Sequence, residues 1–72
     1  MSDTEKTLRK VKNLRDDADM TREELCDRFY ELGVEMTPRM LADRENNVSK
    51  WTGTEVVALT KIFNVEAKEL NI

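Results

Sequence analysis

The chain has no histidine, one cysteine, one proline and two glycines in its 72 residues. Each shortage excludes something. Without histidine there is no imidazole to serve as a general base or metal ligand near neutral pH. A lone cysteine, Cys26, cannot close an internal disulfide and fits a reducing compartment. No apolar run approaches the ~18 residues that a membrane span needs. The first fifteen residues are charged throughout, unlike a secretory leader. A cytoplasmic protein is therefore expected. The sequence also lacks a phosphate-cradling glycine loop and any metal-spaced ligand set. A chain this short does not readily enclose a substrate pocket. These absences point to a binding protein, with neither cofactor nor metal and no enzymatic activity.

What is present is charge and a helical period. Charged residues make up 38% of the chain and hydrophobic ones 39%. The net charge is -3, whereas nucleic-acid-binding modules are usually basic. The charge is unevenly placed. Residues 1–36 hold seven Lys/Arg against ten Asp/Glu, and residues 37–72 hold five of each. A domain of about 60 residues buries only ~60% of its unfolded surface, so a single all-helical domain with local contacts is the economical solution over residues 1–72.

Leu8, Val11 and Leu14 recur every three residues and predict a first helix over 4–17. The acidic run Asp16, Asp17, Ala18, Asp19 breaks the pattern; it lacks the glycine and distal glutamate of a calcium loop, and reads as a solvated linker. Thr21 and Glu24 form a capping box for a second helix over 22–32, with Leu25, Cys26, Phe29 and Leu32 as its apolar stripe. Gly33 supplies a left-handed stop, and Val34 and Met36 lie in the turn. Thr37-Pro38 starts a third helix over 38–46, anchored by Leu41, and Asn46-Asn47 ends it. Val48 and Trp51 are the apolar points of the next connection. Thr52 and Glu55 form a second capping box for a helix over 53–63, which carries Val56, Val57, Leu59, Ile62 and Phe63 and ends at Asn64. A short last helix is expected over 66–70. The fold class is thus all-α, a small bundle of four to five helices.

A tight glycine turn joins the second helix to a short, well-capped, weakly apolar third one. That is the shape of a helix-turn-helix, whose second helix lies in the major groove. The motifs carry a sharper likeness. Val11, Leu14 and Arg15, then Met20, Thr21, Glu23, Glu24 and Leu25, Gly33 and Val34, Glu45 and Asn46, and finally Val56, Val57, Leu59, Phe63, Asn64 and Val65 are similar to the Xre/Cro-type, lambda-repressor-like helix-turn-helix family over residues 8–70. Phe29 to Leu32 resemble the extra turn of the subgroup whose second helix is longer. Arg44 stands where that family usually has an apolar residue, and Asn47 where it has glycine.

The resemblance implies a sequence-specific DNA-binding transcriptional regulator of prophage or plasmid type. It implies a structural ion pair between Arg15 and Glu45, and phosphate contacts from Arg22 and Lys50. At 3.6 residues per turn, Arg39, Ala42, Asp43 and Asn46 share the face opposite Leu41, with Pro38 and Met40 flanking it. Arg39 can grip guanine with two bonds and Asp43 can accept from cytosine. Arg44 either snorkels or reaches a phosphate. Binding as a homodimer would supply paired half-sites; Val65, Leu70 and Ile72 are either its surface or ordinary core. The acidic balance, with Asp43 amid the reading face, supports a second expectation: an antirepressor-like interaction protein that uses the same fold to bind a partner repressor.

Overall fold

Among the described residues four α-helices and a 3₁₀ turn follow one another: α1 (Val11–Asp17), α2 (Arg22–Glu31), α3 (Pro38–Glu45), α4 (Gly53–Phe63) and the turn Ala67–Glu69. The structure, a computed structural model, describes residues 8–72. The all-α bundle expected from the sequence is observed, with α2, α3 and α4 within one residue of their expected bounds. Among the described residues no helix is long and apolar enough to cross a membrane.

Helix starts follow the capping chemistry. The Glu24 amide donates to Thr21 Oγ1 at 3.1 Å while the Thr21 amide donates to Glu24 Oε1 at 2.8 Å. Thr52 and Glu55 repeat the arrangement for α4 at 3.3 and 3.0 Å. Thr37 Oγ1 accepts from the Met40 amide at 3.1 Å, with Pro38 as the first helical residue. Each device satisfies an amide that the helix leaves without a partner.

Helix stops share one geometry in α1, α2 and α3. A left-handed residue follows each helix: Asp19 at φ 58°, Gly33 at 78° and Asn47 at 63°. The amide just beyond it reaches back to close the last turn. Met20 donates to the Arg15 carbonyl at 3.0 Å, Val34 to Phe29 at 2.9 Å and Val48 to Asp43 at 2.8 Å. Asn64, at φ 56°, performs the same stop for α4.

The start of α1 differs from expectation. Residues 4–7 of the expected helix lie outside the described residues, and Leu8, Arg9 and Lys10 are not helical. Arg9 instead forms a parallel bridge with Leu70: its amide donates to the Glu69 carbonyl at 2.8 Å, and its carbonyl accepts from Asn71 at 2.9 Å. Lys10 has no side-chain cap to offer, so tertiary pairing wins over periodicity. Leu8 accordingly stays outside the core, 51% exposed. The expected last helix shrinks to the 3₁₀ turn for the same reason, since Leu70 is drawn into the bridge.

The core comprises Val11, Leu14, Leu25, Cys26, Phe29, Met36, Leu41, Ala58, Leu59 and Leu70. Phe29 stacks on Trp51 with ring centroids 6.4 Å apart. Two apolar expectations are corrected: Leu32 follows α2 as its cap and faces outward, and Val57 lies on the solvent side of α4. Met36 lies in the turn as expected and is buried there. At the end of the chain Leu70 is core and Val65 packs against it, so of the three dimer candidates only Ile72 stays exposed. Burial pushes the Cys26 thiol above its ordinary range, with Glu23 and Asp27 adding to the effect.

Phe29→Ala should cost about 3–5 kcal/mol, whereas Leu32→Ala should stay within about 0.5 kcal/mol; urea melts followed by Trp51 fluorescence test both. Asn47→Ala should cost about 1 kcal/mol and Asn47→Gly nothing, because only the former meets a steric penalty at positive φ. The raised Cys26 pKa has a definite sign: the unfolded thiol ionises first. Stability should be intact below the ordinary thiol range and fall as pH rises through the folded value. In a pH series of melts, Cys26→Ala should remove that part of the alkaline decline.

Candidate functional site

The side chain of Glu45, at the end of α3, is fully buried. Two arginines answer its charge. From α1, Arg15 Nε donates to Oε2 at 2.9 Å and Nη2 to Oε1 at 3.3 Å. From α2, Arg22 Nε donates to Oε1 at 3.0 Å. Arg15 Nη1 also donates to the Met20 carbonyl at 3.0 Å, tying the α1 stop into the same cluster. The hydrogen bond to Glu45 is the main reason the Arg15 guanidinium holds its proton more tightly than usual; burial opposes this, and Asp16 reinforces it. A raised pKa in this group means that its contribution persists through the working pH range and is lost only at extreme alkalinity. The Arg15–Glu45 pair expected from the sequence is therefore present in bidentate form.

The neighbouring residue of α3 makes a second buried pair. Arg44 Nε donates to Glu55 Oε1 at 2.7 Å and Nη2 to Oε2 at 3.1 Å. This corrects the expectation of Arg44 as a phosphate contact. Its guanidinium is turned inward onto α4, and reaching a phosphate would leave Glu55 buried without its partner. Arg22 is corrected in part: its Nε is held by Glu45, but its side chain remains 37% exposed, so its terminal nitrogens can still meet an anion.

With the end of α3 pinned, its opposite face is presented outward. Pro38, Arg39 and Asn46 are exposed, Ala42 and Asp43 are half-buried, and Leu41 is fully buried. Arg39 is 88% exposed and lies 3.9 Å from Asp43. Asp43 serves a second purpose, since its carbonyl accepts from Val48 and Ser49 at 2.8 and 3.2 Å. Met40, the expected flank beside Pro38, is half-buried and packs against the core on one side. Lys50 is exposed, as its expected role requires.

An open basin lies between α1 and the starts of α2 and α3. It is lined by Lys12, Arg15, Thr21, Arg22, Glu23, Pro38 and Arg39. Four cations and one carboxylate line it; Glu45 answers Arg15 and Arg22 from beneath, and Asp16 and Asp43 lie beside Lys12 and Arg39. Lys12 also borders a neighbouring depression with Lys10, Asn47, Trp51 and Ile72, and the last three border a further one with Lys50. Arg39, Arg22, Lys12, Lys10 and Lys50 therefore edge adjoining hollows. Lys10 and Lys12 were not among the expected contacts. Their position in the sequence reads as a solvated helix face, and only the fold brings Lys12 beside the start of α3 and Lys10 beside its end. Two members of the acidic run bond to neighbours: Lys12 Nζ donates to Asp16 at 3.0 Å, and Arg9 Nη2 to Asp17 at 3.3 Å. The bond from Lys12 is the main cause that lowers the Asp16 pKa.

No protein-family model matches the chain, and comparison with curated proteins and with solved structures gives no match.

Removing the shared carboxylate strands two arginines. Glu45→Ala should cost about 3 kcal/mol, which for a domain this size is a fall of about 12–24 °C in melting temperature. Glu45→Gln, which keeps the shape and one acceptor, should cost less. Calorimetry decides; an unaltered melting temperature in Glu45→Ala would show that the three groups are independently solvated.

Proposed function

We propose that this chain is a DNA-binding transcriptional regulator of the Xre/Cro, lambda-repressor-like kind, working in the cytoplasm, with α3 entering the major groove. The observation that carries the reading is the basin edged by the exposed or part-exposed Lys12, Arg22 and Arg39 beside the outward face of α3. A polyanion is attracted to local cations, and counterions released from it drive the association. On this reading Lys12, Arg22 and Lys50 meet phosphates and fix the register, while Arg39, Asp43 and Asn46 meet base edges. Two copies acting on paired half-sites would supply the specificity that one short helix lacks. The chemistry is recognition and involves no catalytic step.

One observation favours a second reading, in which the same face docks a partner repressor protein. Asp43 lies amid that face with its side chain 35% exposed. A basic protein surface would complement it, where a phosphate would be repelled.

Titrating the protein with a random-sequence duplex across a salt series separates the two. A DNA binder using about three phosphates should show log affinity falling with log salt at a slope of about -3. Lys12→Ala and Lys50→Ala should each reduce the slope by about 1. Arg39→Ala should leave the slope for random duplex nearly unchanged but remove discrimination among duplexes selected for tight binding. No detectable association even at low salt would favour the protein partner.

A further inference from the structure

We propose that Arg44 and Glu55 are positioning residues: their buried pair sets the angle at which α3 is held against α4, and so the direction in which the outward face of α3 points. The structural half of the proposal stands alone; its consequence for DNA rests on the function proposed above.

Arg44 and Glu45 are consecutive, so their side chains leave the helix about 100° apart. Glu45 draws α3 toward α1 and α2, and Arg44 draws it toward α4. Two divergent ties at one end of a short helix restrict rotation about its axis in a way that a single tie does not. Both ends of the second tie are themselves held. Glu55 Oε1, which accepts from Arg44 Nε, also accepts from the Thr52 amide at 3.0 Å, so the carboxylate is fixed to the first turn of α4. Arg44 Nη1 lies 3.5 Å from the Met40 carbonyl, on the helix that carries it. The contact is planar and two-pronged, with side chains 13% and 7% exposed, and it fixes orientation as well as distance.

Stability does not account for such a pair. Desolvating two charges offsets most of their attraction, and apolar residues of similar volume often do as well or better. Apolar contact, however, has no preferred direction. α3 has a single fully buried apolar anchor, Leu41, which holds the helix down without fixing its rotation. The charged pair supplies the direction that this small core lacks.

The test replaces both partners at once. In Arg44→Met/Glu55→Gln the glutamine can still accept from Thr52, and no charge is stranded. The melting temperature should stay within about 4 °C of wild type. Residual dipolar couplings of α3 should no longer fit the alignment of α2 and α4, and exchange of α3 amides should quicken on the order of tenfold. Affinity for a random-sequence duplex should stay close to wild type, whereas discrimination among duplexes selected for tight binding should fall on the order of tenfold although the protein is fully folded. Arg44→Lys, which keeps the charge but not the two-pronged contact, should fall between, and decides the matter if the double variant does not fold. Couplings and exchange matching wild type in the variants would overturn the proposal, as would a large fall in melting temperature with α3 undisturbed. If the wild-type protein binds no duplex, the functional reading fails while the couplings still judge the pair.

Discussion

A buried carboxylate is tolerable only when its charge and its lone pairs are both answered. Glu45 meets that condition by recruiting Arg15 from α1 and Arg22 from α2. The constraint runs outward from there. Arg15 is itself nearly buried and can be so only beside Glu45. The α1 stop hangs on Arg15 through the Met20 carbonyl, so the loop leading to α2 is bound into the same cluster. α3, at eight residues, is too short to be stable alone in water. It exists as a helix because Thr37 starts it, Leu41 sinks into the core, and Glu45 and Arg44 fasten its end. Among the described residues every buried side-chain nitrogen and oxygen has a partner, as a polar network this close to the core requires.

The sparing use of glycine shapes the turns. Among the described residues four positions adopt left-handed backbone, yet only Gly33 of these is a glycine. Asp19, Asn47 and Asn64 take the others. These are the residues for which that conformation is least costly among those bearing a Cβ, because a short polar side chain can bond locally. The exchange has an entropic benefit too, since glycine loses more freedom on folding than any other residue. Gly53, the other glycine, is the first residue of α4 and not a turn, so glycine count alone is a poor guide to where this chain changes direction.

Local chemistry was legible in the sequence; most long-range chemistry was not. Thr21, Thr37 and Thr52 announce helix starts within three residues, and Gly33, Asn47 and Asn64 announce stops. All of these act through bonds to their own neighbourhood, which is why they read correctly. The Arg15–Glu45 pair spans 30 residues and was accessible only through a family likeness, since no pattern of spacing announces it. Arg44 shows the limit. In sequence it is an arginine on an otherwise exposed helix end, but Glu55, eleven residues on, is committed by its capping box to the place where Arg44 can reach it. A capping glutamate uses one lone pair on its own helix and keeps the rest for a second donor. The misread start of α1 has the same origin. Leu8 continues the period of Val11 and Leu14, and nothing local says that Arg9 will pair with Leu70 instead.

Net charge is an equally poor guide to what such a surface can meet. The Debye length is about 8 Å under physiological conditions, shorter than any dimension of a body measuring 38 × 24 × 23 Å. A ligand at the basin responds to Lys12, Arg22 and Arg39 and to the carboxylates beside them, Asp16, Glu23, Glu45 and Asp43, and hardly to those on the far side. Within that neighbourhood the 3.9 Å pairing of Arg39 with Asp43 separates affinity from selectivity. Asp43 makes a phosphate an unfavourable partner for Arg39, since the phosphate would face a carboxylate as well as a guanidinium. The pair is instead suited to a group that offers acceptors and a donor side by side. A G·C base pair does so in the major groove, with N7 and O6 of guanine for an arginine and N4 of cytosine for an aspartate. The chain has no glutamine, one of the two side chains that grip adenine in the same manner. If α3 meets DNA, then, the lysines around the basin hold the backbone, and the Arg39–Asp43 pair favours G·C over A·T at the position it faces.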